Sequence, residues 1–144
     1  MPRTTKNKPE KPQIGIYSHK IGKIVGSQFE FDLLSFRDPA GQKQFTNMNG
    51  SYPAVRDWVK QDKRFPSLVQ DCLLIADDLI KDKVREGKTV PAVCSWLSFS
   101  FKDYHGKWAS VAVTELVADA LSDAGYLVSV YHSGIPEEAV WTPI

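Results

Sequence analysis

Ser110-Val111-Ala112-Val113-Thr114-Glu115-Leu116-Val117-Ala118-Asp119-Ala120-Leu121-Ser122-Asp123-Ala124-Gly125-Tyr126-Leu127-Val128-Ser129-Val130-Tyr131 is the stretch whose reading decides the fold. Val113, Leu116, Val117, Ala120 and Leu121 recur at three- and four-residue spacing, which predicts a helix with one apolar face. Gly125 supplies a stop, because a helix ends easily on a residue free to turn left-handed. Tyr126 to Tyr131 is rich in β-branched and aromatic residues and predicts a strand. Upstream, Val90 to Cys94 is a short apolar run that suits a buried strand. Strand, loop, helix and strand over about forty residues form a βαβ unit, whose right-handed crossover makes the flanking strands parallel.

Working outward, Ile14 to Tyr17 predicts a short strand, and Phe29 to Phe36 an interior strand ended by Arg37-Asp38-Pro39-Ala40-Gly41. Pro53 suits the first turn of a short helix carrying Val55, Trp58 and Val59 on one stripe. A longer helix follows Pro66, with Leu68, Cys72, Ile75, Ala76, Leu79 and Ile80 inward. Lys81, Lys83 and Arg85 lie near its C-terminal end, and Gly87 closes it. Residues 1–13, with three prolines among lysines, are expected to form a basic, disordered tail, and residues 14–144 one α/β domain around an at least partly parallel sheet.

Hydrophobic residues make up 42% of the chain and charged residues 24%, a globular composition. The formal net charge of +1 gives no whole-molecule attraction toward nucleic acid or anionic membrane, so any polyanion site must be local. Cys72 and Cys94 lack a framework spacing and read as reduced thiols of a cytoplasmic protein. No apolar stretch approaches the roughly 20 residues needed to cross a bilayer.

The chemistry concentrates between Cys94 and Ser110. A helix beginning near Ser110 directs its free N–H groups and positive dipole end into that connection, where His105, Gly106, Lys107 and Ser110 offer what a phosphate or carboxylate requires. The same connection carries Trp96, Phe99, Phe101, Tyr104 and Trp108. Three explanations stand open: a stacking surface for a base or sugar, a protein interface, or a flap on the core. Catalysis is poorly supported. A phosphatase-type cysteine at position 94 needs an arginine six residues on, where Ser100 stands. His19, His105 and His132 are scattered without the close ligand pairs of zinc sites, and neither a Walker A sequence nor a dinucleotide fingerprint occurs, so no metal and no cofactor are expected.

From Ile14 to His132 the chain resembles the C-terminal domain of the RNase adapter protein RapZ. Tyr17, Lys20 and Gly22 fall in place of the family's Phe-Gly-Phe-Lys-Tyr-Gly stretch, followed by Phe31-Asp32. The segment Met48 to Val59 resembles the family's Leu-Thr-Gly-Leu-Asp-Pro-Glu-Val. Ser110-Val111-Ala112 through Glu115, Leu121, Gly125, Val128, Val130 and His132 resembles its Ser-Val-Ala helix and closing strand. The family's Cys-Thr-Gly-Gly-x-His-Arg-Ser loop reads as keeping Cys94 and Ser110, lengthened by about nine residues. Its His-Arg pair becomes Trp108 and Ala109, and two further polar positions become Leu34 and Ala40. Each lost charge-assisted bond removes about 1.5–3 kcal/mol from an anion site.

The resemblance implies a single Rossmann-like three-layer domain, a regulatory module that binds small RNA, senses a phosphorylated amino sugar and self-associates as a homo-oligomer. The resulting expectation is a non-catalytic domain binding a phosphorylated small ligand or RNA through Lys20, Cys94, His105, Gly106, Lys107, Trp108 and Ser110. The alternative is a protein-interaction module, of viral or mobile-element type, that has lost the small-molecule site. It would dock a partner through Trp96, Phe99, Phe101 and Tyr104. A phosphotransfer enzyme ranks last.

Overall fold

The computed structural model describes residues 3–4, 14–23, 26–89 and 97–143. Five strands form one parallel sheet: β1 (Arg3–Thr4), β2 (Ile14–Lys20), β3 (Phe29–Asp32), β4 (Ser98–Asp103) and β5 (Val128–His132), in the order β1-β5-β2-β4-β3. The helices are α1 (Pro53–Lys60), α2 (Phe65–Arg85) and α3 (Ala109–Asp123). The chain is therefore an α/β domain with a parallel sheet, as the periodicity predicts, and of Rossmann-like type, as the family resemblance implies.

Register places Ile16 beside Phe99 and Val130, and Phe31 beside Phe101, so one sheet face is continuously apolar. Onto this face pack Leu68, Cys72, Ala76 and Ile80 of α2 and Ala112, Val113, Val117 and Leu121 of α3. Of the three expected layers, the described residues supply the sheet and this helical layer. The opposite face carries Gly15, Ser98, Ser100 and Ser129 and a stacked Tyr17–Tyr131 pair with ring centroids 4.9 Å apart. Central α3 is buried almost all round, between the sheet on one side and α1 and α2 on the other. That burial explains how its small and β-branched residues hold a helix against their modest propensity.

Helix boundaries follow local chemistry. Pro53 and Pro66 sit in the first turns of α1 and α2, where a missing N–H costs nothing. The ends of α2 and α3 share one geometry: Gly87 and Gly125 take φ of +91° and +101°. Lys88 N donates to Lys83 O, and Tyr126 N to Leu121 O. Burial first, then the charge of Asp71, push the Cys72 thiol up to about 12, leaving it a neutral core group.

The structure adds to the expectations at two places and corrects them at one, the Phe29–Phe36 segment. The strand leading into α3 is Ser98–Asp103; the run Val90–Cys94 lies outside the described residues. The Phe29–Phe36 segment is a four-residue edge strand, because Leu34 N turns back onto the Asp32 carboxylate and Phe36 N onto Leu33 O. Within the stretch read as a tail, Arg3–Thr4 adds a short edge strand beside Val128–Ser129.

Candidate functional site

The carboxyl ends of β2, β4 and β5 meet the N-terminus of α3, where open α/β sheets collect ligands. A cavity of about 460 Å³ opens there, lined by Lys20, Lys23, Tyr104, His105, Lys107, Trp108, Ser133 and Gly134. Lys20 and Lys23 come from the end of β2, Ser133 and Gly134 from the end of β5, and the rest from the five-residue turn between β4 and α3. None of the three lysines has an ion-pair partner among the described residues. His105 and Trp108 meet edge to face at 5.4 Å, and Trp108 Nε1 donates to Phe45 O at 3.4 Å, which anchors the indole.

Close backbone contacts fix these walls. Gly50 N donates to Lys107 O at 2.7 Å. A Cβ on Gly134 would stand 2.1 Å from Gly106 O, and one on Gly106 would stand 2.8 Å from Lys20 N. Glycine at 106 is also required by φ of +69°. Strand ends and turn thus interlock through backbone alone, leaving the lysines free to face the cavity.

Asp103 closes the rear of the site. Its Oδ1 accepts from His105 N at 3.2 Å and, by a short hydrogen bond, from Gly106 N; its Oδ2 accepts from Ser110 N at 2.8 Å. These are N–H groups that the sequence reading offers to a ligand. A buried carboxylate of the chain itself meets them instead. Ser110 is fully buried, its Oγ unpartnered, so it does not line the cavity.

Of the expected residues, Lys20, His105, Lys107 and Trp108 are brought together, and Gly106 shapes the wall behind them. Tyr104, expected at an interface, stands at the cavity mouth, 59% exposed. Phe99 and Phe101 are corrected: they point from β4 into the core and are fully buried, so neither docks a partner. Cys94 and Trp96 lie outside the described residues. Lys23, Ser133 and Gly134 join the site without having been singled out.

A second polar group lies deeper. His132 Nε2 is 2.7 Å from Glu115 Oε2 and His132 Nδ1 is 2.6 Å from Ser18 Oγ. The order mimics a hydrolase triad, with the Ser18 hydroxyl fully buried between the strand and the helix. Among the described residues no group of three His, Cys, Asp or Glu side chains is placed for a metal, and no helix is long and apolar enough to cross a membrane.

The model of the RapZ C-terminal domain family matches residues 12–136. The chain belongs to that family. A nucleotide-binding protein of Cereibacter sphaeroides (strain ATCC 17025) is 29% identical over 123 residues, 85% of this chain and 39% of the relative. One from Ruegeria pomeroyi is 31% identical over 116 residues, 81% and 39% respectively. One from Acidiphilium cryptum is 28% identical over 133 residues, 90% and 42%. The chain thus spans about two fifths of these relatives. With β4 ending at Asp103, the RapZ-type Cys-Thr-Gly-Gly-x-His-Arg-Ser loop falls without a gap on Asp103 to Ser110. On that count Asp103, rather than Cys94, falls at the place of the motif's cysteine and no lengthening is needed. The motif keeps Gly106 and Ser110 and exchanges His-Arg for Trp108-Ala109.

Proposed function

We propose that this RapZ-type domain is a non-catalytic regulatory module that binds a phosphate-bearing ligand at the β2–β4–β5 end of the sheet. The observation that carries the reading is the convergence of Lys20, Lys23 and Lys107, none ion-paired among the described residues, on one ring-walled cavity of about 460 Å³. Three ammonium groups so placed repel one another, and an anion relieves that repulsion. The volume suits a small ligand, and Trp108, His105 and Tyr104 supply rings beside which a base or sugar packs. Because Asp103 already meets the α3 N-terminus, side-chain cations hold the phosphate, and binding is salt-sensitive. The relatives' description as nucleotide-binding proteins accords with this chemistry.

The ligand's phosphate belongs either to a nucleotide or sugar monoester or to an RNA backbone. Calorimetric titration with nucleoside monophosphates, hexosamine 6-phosphate and a short single-stranded RNA at two salt concentrations separates them. Lys107→Ala and Lys20→Ala each weaken the bound class about ten-fold, and Trp108→Ala changes selectivity within it. Absence of binding to all three, or binding indifferent to both lysines, refutes the reading.

A further inference from the structure

β3 is the edge strand of the sheet, and α2 lies beside it. α2 is 21 residues long and its inner stripe packs on the core, while Leu74, Ile75 and Leu79 stand next to β3. With Phe29 and Phe31 they line a groove of about 530 Å³, in which Leu74 is 49% exposed. Three aspartates, Asp71, Asp78 and Asp82, rim it from α2. Among the described residues, only Asp82 of the three has a cation beside it, Arg85 Nη1 at 3.4 Å. On the other sheet face, the exposed Glu30 and Asp32 of β3 flank the same edge, Glu30 being paired with Lys102 Nζ at 2.9 Å.

We infer that this groove is a strand-addition site for an extended segment of another protein in which apolar and basic residues alternate. Pairing to β3 satisfies the edge strand's outward N–H and C=O groups. Alternation with period two then sends every second side chain under α2, onto Leu74, Ile75 and Leu79, and the intervening ones toward Glu30 and Asp32. A basic residue suits the intervening place beside Asp32, and a flanking Lys or Arg reaches the aspartate rim of α2. The basic stretch at residues 2–11 does not fit, for it holds cations but no Val, Ile, Leu, Met or aromatic residue. The site lies at the sheet edge, away from the lysine pocket, and stands independently of the phosphate reading.

A fluorescein-labelled peptide of alternating valine and lysine, about eight residues long, tests this with the full chain. The expected result is saturable anisotropy binding, with NMR shifts centred on the amides of Phe29–Asp32. Leu74→Lys and Asp78→Lys, both at exposed positions, each weaken it at least ten-fold without lowering the melting temperature. A valine–glutamate peptide and a valine–lysine peptide interrupted by alternate prolines fail to bind. No saturable binding, equal binding by the proline peptide, or affinity unchanged in both variants overturns the inference. So does sedimentation showing that the groove is filled by a second copy of this chain, with Leu74→Lys turning a dimer into a monomer.

Discussion

His132 donates from Nε2 to Glu115 Oε2 at 2.7 Å, tying the last strand of the sheet to the middle of α3 where both side chains are only 3% exposed. A carboxylate only accepts, so the Nε2–H of His132 donates to Glu115, while Nδ1 lies 2.6 Å from the Ser18 hydroxyl. One chain of hydrogen bonds thereby fixes β2, β5 and α3, the three elements whose ends build the lysine pocket.

Glu115→Leu leaves the buried Nε2–H of His132 without its acceptor, and the expected loss is about 2 kcal/mol of unfolding free energy. Adding His132→Leu removes that unpaired group, so the double variant is more stable than the sum of the single losses implies. Urea unfolding of the four proteins in this cycle measures the coupling. Strict additivity refutes the linkage.

Asp103 yields a prediction of opposite character, since its removal both costs stability and creates a site. Asp103→Ala leaves the His105, Gly106 and Ser110 N–H groups without their shared acceptor, at an expected cost of about 2 kcal/mol. Inorganic phosphate then takes the place of the carboxylate at the α3 N-terminus. Millimolar phosphate raises the melting temperature of Asp103→Ala and of Asp103→Cys, which restores the RapZ-type residue, more than that of the parent. Equal shifts in all three show that the carboxylate does not stand where an anion binds.

How far these features were legible depends on the range over which they are encoded. Pro53, Pro66, Gly87 and Gly125 mark helix ends through local backbone rules, and the apolar stripes of α2 and α3 are periodic, so helices and fold class are readable. Strand β4 hid inside an apparent loop. Ser98-Phe99-Ser100-Phe101 alternates with period two, the signal that places its rings in the core and moves the anion-loop motif to Asp103. Ser18 and His132 are 114 residues apart and meet only through the β2–β5 register, which no local pattern encodes. Lys23 likewise joins Lys107 only after the strand ends converge.

Asp62 gives a pH dependence. Although burial opposes ionisation, backbone hydrogen bonds from Arg37 N at 2.6 Å and Arg64 N at 2.9 Å, with both guanidinium charges, hold its carboxyl below the ordinary range. A depressed folded pKa contributes stability above the unfolded value of about 3.9, and that stability is lost as pH falls through the folded pKa. Asp62→Asn keeps one acceptor oxygen for two N–H groups and is expected to cost about 2 kcal/mol at neutral pH. Stability measured from pH 7 down to 2 falls less steeply in the variant below about pH 4. Parallel curves refute the assignment.

The contact between Gly134 and Gly106 separates shape from charge at the pocket. A methyl group at Gly134 overlaps Gly106 O, at 2.1 Å, and the turn carrying His105, Lys107 and Trp108 must move away from the end of β5. Gly134→Ala is expected to cost roughly 2 kcal/mol as an overpacked contact. Gly87→Ala is the control: its φ of +91° strains any side chain, at about 1 kcal/mol, but a Cβ there meets open space at the end of α2. Both variants lose stability for backbone reasons, and neither loses a charged group. At a temperature where both are folded, only Gly134→Ala shifts the amide resonances of His105 to Trp108 and weakens phosphate-ligand binding. If the two variants shift those resonances alike, the walls are not held by this contact, and the lysines are positioned by their own side-chain packing.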